Sequence, residues 1–506
     1  MKMKKKYLIA LFALAIAGTL YSCKKSFLNQ IPKNSLIANF STGADAEAAL
    51  NGAYSLMANA NNHYYDWNYI IDGDVRSDNC YSGGSAPDIN GVDQFTSIPT
   101  DGQPVTQDYS ELYSEINAAN ILIDNVINIQ DATLSDTRKA QIIGEAKFLR
   151  GYHYYNLVKN YGPVVLQLHT ITVDPDVNKT RSPVADVYAQ IEKDLVEAEA
   201  ALPTAYSTQA ESHSRATKGA AEAVLAKMYA QQGKYQQCLD YCNKVLPGTY
   251  GGTNSTGYAL LANFDWCFDG LHRSNSESIF ELQHTQGTIT HGYAQGLILS
   301  PQLTDQYFTK FVVPSHDIVK AFKAAGDSIR FKSSIYWEYN GPKSANPVPT
   351  PYPYGPDDTI PYVWKAGRTW PGSWSGGSSD PITLIRLADI VLLKAEALNA
   401  LGSTSQALPL VNAIRTRVSL APISVSSQAD MALAILNERR LELAFEGERW
   451  FDLLRYGAQY TISLMNAQVD GSGKNLNYNV DPHRLIYPIP QVDLGNNPKL
   501  TQNPGY

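Results

Sequence analysis

The sequence predicts a mostly α-helical protein in which paired helices form a scaffold interrupted by one large loop-rich insertion. Three observations predict it. Apolar residues recur at helical spacing along most of the chain, whereas strand-type alternation is short and scattered. One helix-turn-helix pattern occurs twice with the same offsets. Between the two copies the composition shifts to Gly, Pro and Ser, the residues of turns and loops.

Taken in order, the chain opens with Lys2, Lys4, Lys5 and Lys6, then an apolar stretch from Tyr7 to Leu20 that closes in Leu20-Tyr21-Ser22-Cys23. That stretch is shorter than the about 20 residues a membrane span needs, and a basic head followed by a short apolar run is the layout of a signal peptide. Small Ser22 suits cleavage after residues 1–22, leaving the Cys23 thiol for diacylglyceryl attachment. Cys23 is therefore the expected lipidation site, the alternative being a secreted chain whose Cys23 is incidental. Each buried methylene contributes about 0.8 kcal/mol, so two or three acyl chains hold a protein on a membrane. The rest of the chain has no other long apolar run, and everything after Cys23 is expected to be a soluble body tethered to a bacterial membrane.

Helices are expected over 45–60, 107–129, 135–160 and 183–202, the third ended by Gly162-Pro163. Tyr152 and Tyr155 on that third helix read as core. Next comes Ala226-x-x-Tyr229-x-x-x-Gly233-x-Tyr235-x-x-Cys238, whose offsets return in Ala395-x-x-Leu398-x-x-x-Gly402-x-Thr404-x-x-Ala407. Small residues that let paired helices approach, separated by a Gly turn, are a tetratricopeptide-like feature. Ala146-x-x-Leu149, running into Tyr152, is a candidate degenerate third unit. The copies lie far apart, so a scaffold over about 40–246 and 381–460, split by an insertion over about 247–380, fits better than a tandem solenoid. Residues 23–506 are expected to form one domain. The insertion carries Trp364, Trp370 and Trp374 among Pro/Gly-rich loops, where a rigid scaffold can present binding residues or where the rings simply pin the loops.

A net charge of -7 argues against a nucleic-acid partner, which needs clustered Lys and Arg to neutralise phosphates. The 32 Tyr and 7 Trp outnumber the 14 Phe, favouring rings that stack on a ligand while keeping a polar edge. Cysteine is too sparse for a disulfide scaffold; Cys238 and Cys242, four apart on one helix, read as buried apolar groups. Histidines 153, 169, 213, 272, 284 and 291 show no metal spacing, and no nucleophile elbow or phosphate loop is present. Asn- and Asp-rich loops carry the oxygen ligands that suit Ca2+, yet no D-x-D-x-D-G spacing calls for the ion, and no cofactor is expected.

Near the C-terminus, Asn437-Glu438-Arg439-Arg440-Leu441-Glu442-Leu443-Ala444-Phe445-Glu446-Gly447-Glu448-Arg449-Trp450-Phe451-Asp452-Leu453-Leu454-Arg455 reads as one charge-laced helix, with Arg439–Glu442, Glu446–Arg449 and Asp452–Arg455 placed to pair along it. Carboxylates committed to arginines in this way are poor candidates for a glycosidase acid/base pair, so the segment is expected to be architectural. Together with Leu485-Ile486-Tyr487-Pro488-Ile489-Pro490, the ending Leu500-Thr501-Gln502-Asn503-Pro504-Gly505-Tyr506, and Cys23 to Leu28 followed by Pro32, it resembles the SusD/RagB-like outer-membrane lipoproteins of Bacteroidetes across essentially the whole mature chain. Lys24-Lys25 depart from the acidic residues often found after the lipid site of surface-exported members.

The resemblance implies a non-enzymatic protein that captures glycan outside the cell and passes it to a SusC-like TonB-dependent transporter, lipid-anchored in the outer membrane and facing the cell surface. Sugar binding needs flat aromatic faces plus amides, carboxylates or arginine for hydroxyl pairs. Residues 63–81 supply both, and Gly73-Asp74 matches a Gly-Asp element that contributes to the ligand face in the family. The expected ligand-binding residues are Trp67, Asp74, Arg76, Asp78, Asn79, Tyr81, Tyr293, Trp364, Trp370 and Trp374. Two rivals stay open: an interaction scaffold with no sugar site, and a glycoside hydrolase. No sequence feature names the glycan.

Overall fold

The computed structural model describes residues 41–58, 64–82, 87–96, 102–171, 178–247, 257–284, 311–339, 359–365 and 379–506. Helix α1 (Gly43–Met57) starts at a reciprocal cap, Thr42 accepting from the Asp45 amide while the Asp45 carboxylate accepts from that of Thr42. The short α2 (Pro87–Asp93) precedes the long α3 (Gln107–Val126) and α4 (Asp136–Tyr161), the latter capped by Ser135 and ended at Gly162. Helices α5 (Val184–Ala201), α6 (Gln209–Ser214), α7 (Lys218–Gln231) and α8 (Tyr235–Val245) complete the first part. Within the predicted insertion lie α9 (His316–Ala325) and α10 (Ser328–Ser334). The last part holds α11 (Leu387–Ala400), α12 (Thr404–Arg417), α13 (Gln428–Glu442), α14 (Arg449–Tyr456), α15 (Ala458–Asn466) and α16 (Gln491–Asn496).

The helices pack as a continuous array: α3 on α4, α4 on α5, α5 on α7, α7 on α8, α8 on α11, and α11 on α12 and α13. The two repeated helix pairs, separated by the whole insertion in sequence, are thus direct neighbours in space. Both turns use glycine at positive φ, Gly233 at 68° and Gly402 at 81°, a conformation that a Cβ disfavours. α7 is buried on all sides and rich in alanine, which lets its neighbours close in. Cys238 and Cys242 are buried thiols with sulfurs 3.9 Å apart, and Tyr152 and Tyr155 lie in the core.

Among the described residues, three two-stranded antiparallel sheets accompany the array. β1 (Cys80–Tyr81) pairs with β3 (Val313–Pro314), β2 (Ser278–Leu282) with β6 (Ile382–Arg386), and β4 (Ile335–Tyr339) with β5 (Thr359–Val363). Through β2 and β6, residues 283–381 leave from and return to one paired stem.

The segment 438–455 is not one helix. α13 stops at Glu442 and α14 begins at Arg449, with Phe445 (φ 64°) and Gly447 (φ 79°) making the turn between them. Asp74, far upstream, enforces the break by accepting from the amides of Phe445 (3.1 Å) and Gly447 (2.7 Å). Two of the three expected pairs dissolve with the helix. Arg439 binds Asp389 (2.7 Å) and Asp452 (2.9 Å), and Arg449 forks onto Asp78 (2.7 and 2.8 Å); only Asp452–Arg455 (2.6 Å) follows the local spacing. Glu442, wholly buried, gathers Arg330 (3.0 Å), Arg386 (2.6 Å) and Arg417, while Glu446 holds Arg386 (2.6 Å) and Lys365 (2.7 Å). Away from water a charge needs several oriented partners, and one helical turn cannot supply them.

Arg449→Ala leaves the Asp78 carboxylate buried with half its support, so a loss of about 3–5 kcal/mol is expected in chemical denaturation. Burial by itself would raise Asp78, but Arg440 and Arg449 outweigh it and hold the group at about 2, below the ordinary 3.8. Its stabilisation is complete above about pH 4 and fades as pH falls toward 2. The penalty of Asp78→Asn, measured by urea unfolding at a series of pH values, should therefore shrink across that window.

Candidate functional site

The segment expected to carry the ligand face is built inward. Residues Tyr64–Asn68 and Ile71–Val75 form two π-helical turns whose residues are all buried. Trp67 is 1% exposed and stacks on Phe311, ring centres 5.8 Å apart. Arg76 lies between Trp450 (4.9 Å) and Tyr487 (4.0 Å) and donates to the Arg484 carbonyl (2.8 Å). Asn79 donates to Asp74 (2.7 Å) and accepts from Arg440 (2.8 Å), and the Tyr81 hydroxyl meets His316 Nδ1 (3.1 Å). These bonds, with those of Asp74 and Asp78 above, correct the expectation for Trp67, Asp74, Arg76, Asp78, Asn79 and Tyr81: the segment is an internal clamp on the C-terminal region. Gly73 explains the Gly-Asp element, because a Cβ there would sit 2.1 Å from the Gly447 carbonyl.

Of the other expected residues, Trp364 is half-buried and forms a tilted pair with Tyr336, centroids 5.4 Å apart. Tyr293, Trp370, Trp374 and the lipidation site Cys23 lie outside the described residues.

An open aromatic surface forms elsewhere, on 263–272. Asn263 caps the Phe264–Cys267 turn by accepting from the Asp265 amide (3.0 Å). Asp269 accepts from the amides of Leu271 (2.9 Å) and His272 (3.0 Å) and holds the His272 ring at Nδ1 (2.7 Å). The result is a near-parallel stack of His272 on Trp266, centroids 4.5 Å apart and planes 18° from parallel, with Trp266 40% exposed. Behind it a cleft is lined by Asp66, Tyr69, Lys365, Asp380, Thr383 and Glu446. Lys365 donates to Glu446 (2.7 Å) and the Glu442 carbonyl (2.9 Å) and packs over Phe268 (4.7 Å); burial pulls its ammonium below the ordinary lysine value. The cleft floor is thereby fastened to the buried charge cluster. Ser333 donates to Asp265 (2.7 Å) and the Trp364 amide to the Ser334 carbonyl (2.8 Å), so α10 ties the Trp266 turn to the Tyr336–Trp364 pair.

Flat rings beside a cleft lined with oxygen acceptors suit a polyhydroxylated ligand. Trp266 and His272 were not singled out from sequence, although Asn263-Phe264-Asp265-Trp266-Cys267-Phe268-Asp269 concentrates rings and Asx-type caps in the insertion. Among the described residues no group of three or more His, Cys, Asp or Glu could hold a metal, and no helix is long and apolar enough to cross a membrane.

Comparison with known proteins places this helical array, with its repeated pairs and stemmed insertion, among SusD-like proteins. The SusD family model matches residues 276–506, and a second model, described as starch-binding and associating with the outer membrane, matches residues 26–230. The chain belongs to the SusD/RagB-like family. It is 25% identical to SusD-like protein P2 of Formosa agariphila, over 99% of this chain and 100% of that one. It is 22% identical to the starch-binding protein SusD of Bacteroides thetaiotaomicron, over the full length of both. A solved laminarin-binding SusD-like protein is similar in structure, with a TM-score of 0.75 and 27% identity over 92% of this chain and 100% of that one.

Gly73→Ala should abolish soluble expression, because the methyl group would meet backbone that cannot retreat without breaking the Asp74 bonds to Phe445 and Gly447. Recovery of folded protein by size-exclusion chromatography and circular dichroism checks this.

Proposed function

We propose that this chain is a lipid-anchored, surface-facing outer-membrane protein that captures oligosaccharide or polysaccharide without cleaving it. It hands the glycan to a SusC-like TonB-dependent transporter. The observation that carries the reading is the exposed Trp266–His272 stack at the mouth of an acceptor-lined cleft. Pyranose rings present apolar C–H faces that stack on such a surface, while their hydroxyls donate to the carboxylate and hydroxyl oxygens behind it. Glu446 is held by Arg386 and Lys365, an arrangement that favours binding over proton transfer. The starch-binding and laminarin-binding relatives point to the same class of cargo. Attachment through Cys23 keeps the protein beside its transporter, and the helical array offers the broad surface such a contact needs.

Trp266→Ala should weaken binding of a responsive glycan at least about tenfold, equivalent to about 1.4 kcal/mol. The melting temperature should move little, since the ring is at the surface. Calorimetry against a panel of plant, host and microbial glycans checks it. Unchanged affinity in the variant would remove this cleft as the site, silence across the panel would favour the interaction scaffold, and release of reducing ends would make the protein a hydrolase.

A further inference from the structure

A second cluster of polar groups lies deep in the molecule, where the two π-helical turns, α3, the end of α4 and the C-terminal region meet. Asp72 and Asp108 are 1% and 0% exposed, and neither forms a salt bridge. Asn68, itself 0% exposed, donates to Asp108 Oδ1 (2.5 Å); Asn160, also 0% exposed, donates to Asp72 Oδ2 (2.8 Å); the Tyr487 hydroxyl donates to Asp72 Oδ1 (2.7 Å). Those three bonds leave other acceptor oxygens of the cluster unmatched. Asp108 Oδ2, Asn68 Oδ1 and Asn160 Oδ1 are all buried and all without a hydrogen-bond partner. Two formal negative charges and three orphaned oxygens in one interior region call for something electropositive, since each uncompensated buried acceptor is destabilising and each buried carboxylate far more so.

We infer that Asp72, Asp108, Asn68 and Asn160 form an interior site for one hard, oxygen-seeking cation. An all-oxygen set of two carboxylates and two amide carbonyls is the chemistry that Ca2+ uses, completed by water, and that Na+ and K+ use with fewer charges. A thiophilic metal is excluded by the absence of sulfur and imidazole from the set. Burial raises Asp72 to about 6 and pushes Asp108 well above the ordinary aspartate value, with Asp72 adding to the rise at Asp108. The charged groups facing the pair are Arg76 and Lys159, which lower Asp72, and Glu111, which raises Asp108. A cation between the carboxylates reverses those shifts and removes the repulsion. The site is separate from the aromatic cleft, and its role is to fasten the Asp72 turn to α3, α4 and Tyr487.

The test uses the full mature chain. Elemental analysis of protein purified without chelator should find about one Ca2+, Na+ or K+ per chain beyond a dialysis blank. After chelator treatment, thermal unfolding is followed with CaCl2, NaCl or KCl added at matched ionic strength. One of these cations should raise the melting temperature by at least about 3 °C, and the cation that does so is the site's occupant. Asp108→Asn, nearly isosteric, should abolish that rise and the bound metal together. If no cation is retained and none shifts the transition, the inference is overturned. The pair then holds a proton instead, and Asp108→Asn, which mimics the protonated acid, would be as stable as the parent at neutral pH. Should Asp108→Asn fail to fold, the metal content and cation dependence of the parent chain still decide.

Discussion

The structure depends on the docking of one N-terminal turn into the C-terminal helices. Residues 71–79 and 439–450 meet through Asp78 and Arg449, 371 positions apart, through Asp74 and the amides of Phe445 and Gly447, and through the Gly73–Gly447 backbone contact. The contact is made largely of backbone and charged groups, leaves no room for a Cβ at Gly73, and sets where α13 must end. From that break the remaining geometry follows. Glu442 and Glu446 fall on the side where Arg330, Arg386, Arg417 and Lys365 converge, and Lys365 brings the β5 end of the insertion against the turn that carries Trp266.

A buried ion network of this extent contributes less to net stability than its bond count implies, because desolvation offsets much of the Coulomb attraction. What it imposes is uniqueness: a bidentate guanidinium accepts few alternative partners or angles. The cleft benefits from that rigidity. Its floor includes Lys365 and Glu446, whose charges are satisfied from behind, while Trp266 and His272 stand on a loop shaped by its own Asx caps. Residues on the loop can therefore change without disturbing the network beneath them, which fits a structure about a quarter identical that shares the fold over nearly the whole chain.

Much of the fold was legible in sequence because helices declare themselves locally. The helices around 45–60, 107–129, 135–160 and 183–202, the Gly turns at 233 and 402 and the paired units all rest on spacing within a few residues. The site was less legible for the opposite reason. Asp74, Arg76, Asp78 and Asn79 look like sugar-binding groups in isolation, and their burial is decided by Arg440, Arg449 and Tyr487, which no local pattern connects to them. The same distance effect hid the break after Glu442, since a run with helical spacing, Gly447 apart, is interrupted by a carboxylate from the other end of the chain. Trp266 carried a readable signal, rings and Asx caps in the insertion, but its exposure is set by how the 263–272 loop stacks and not by composition.

The clamp between residues 71–79 and 439–450 also fixes the order of events when the protein is made. In any partial chain the Asp78 carboxylate and the Asp74 acceptors lack these partners until Arg449 and its neighbours have been synthesised. Completion of the native state is thereby a post-synthetic step, and a message truncated before that point encodes a chain that cannot close.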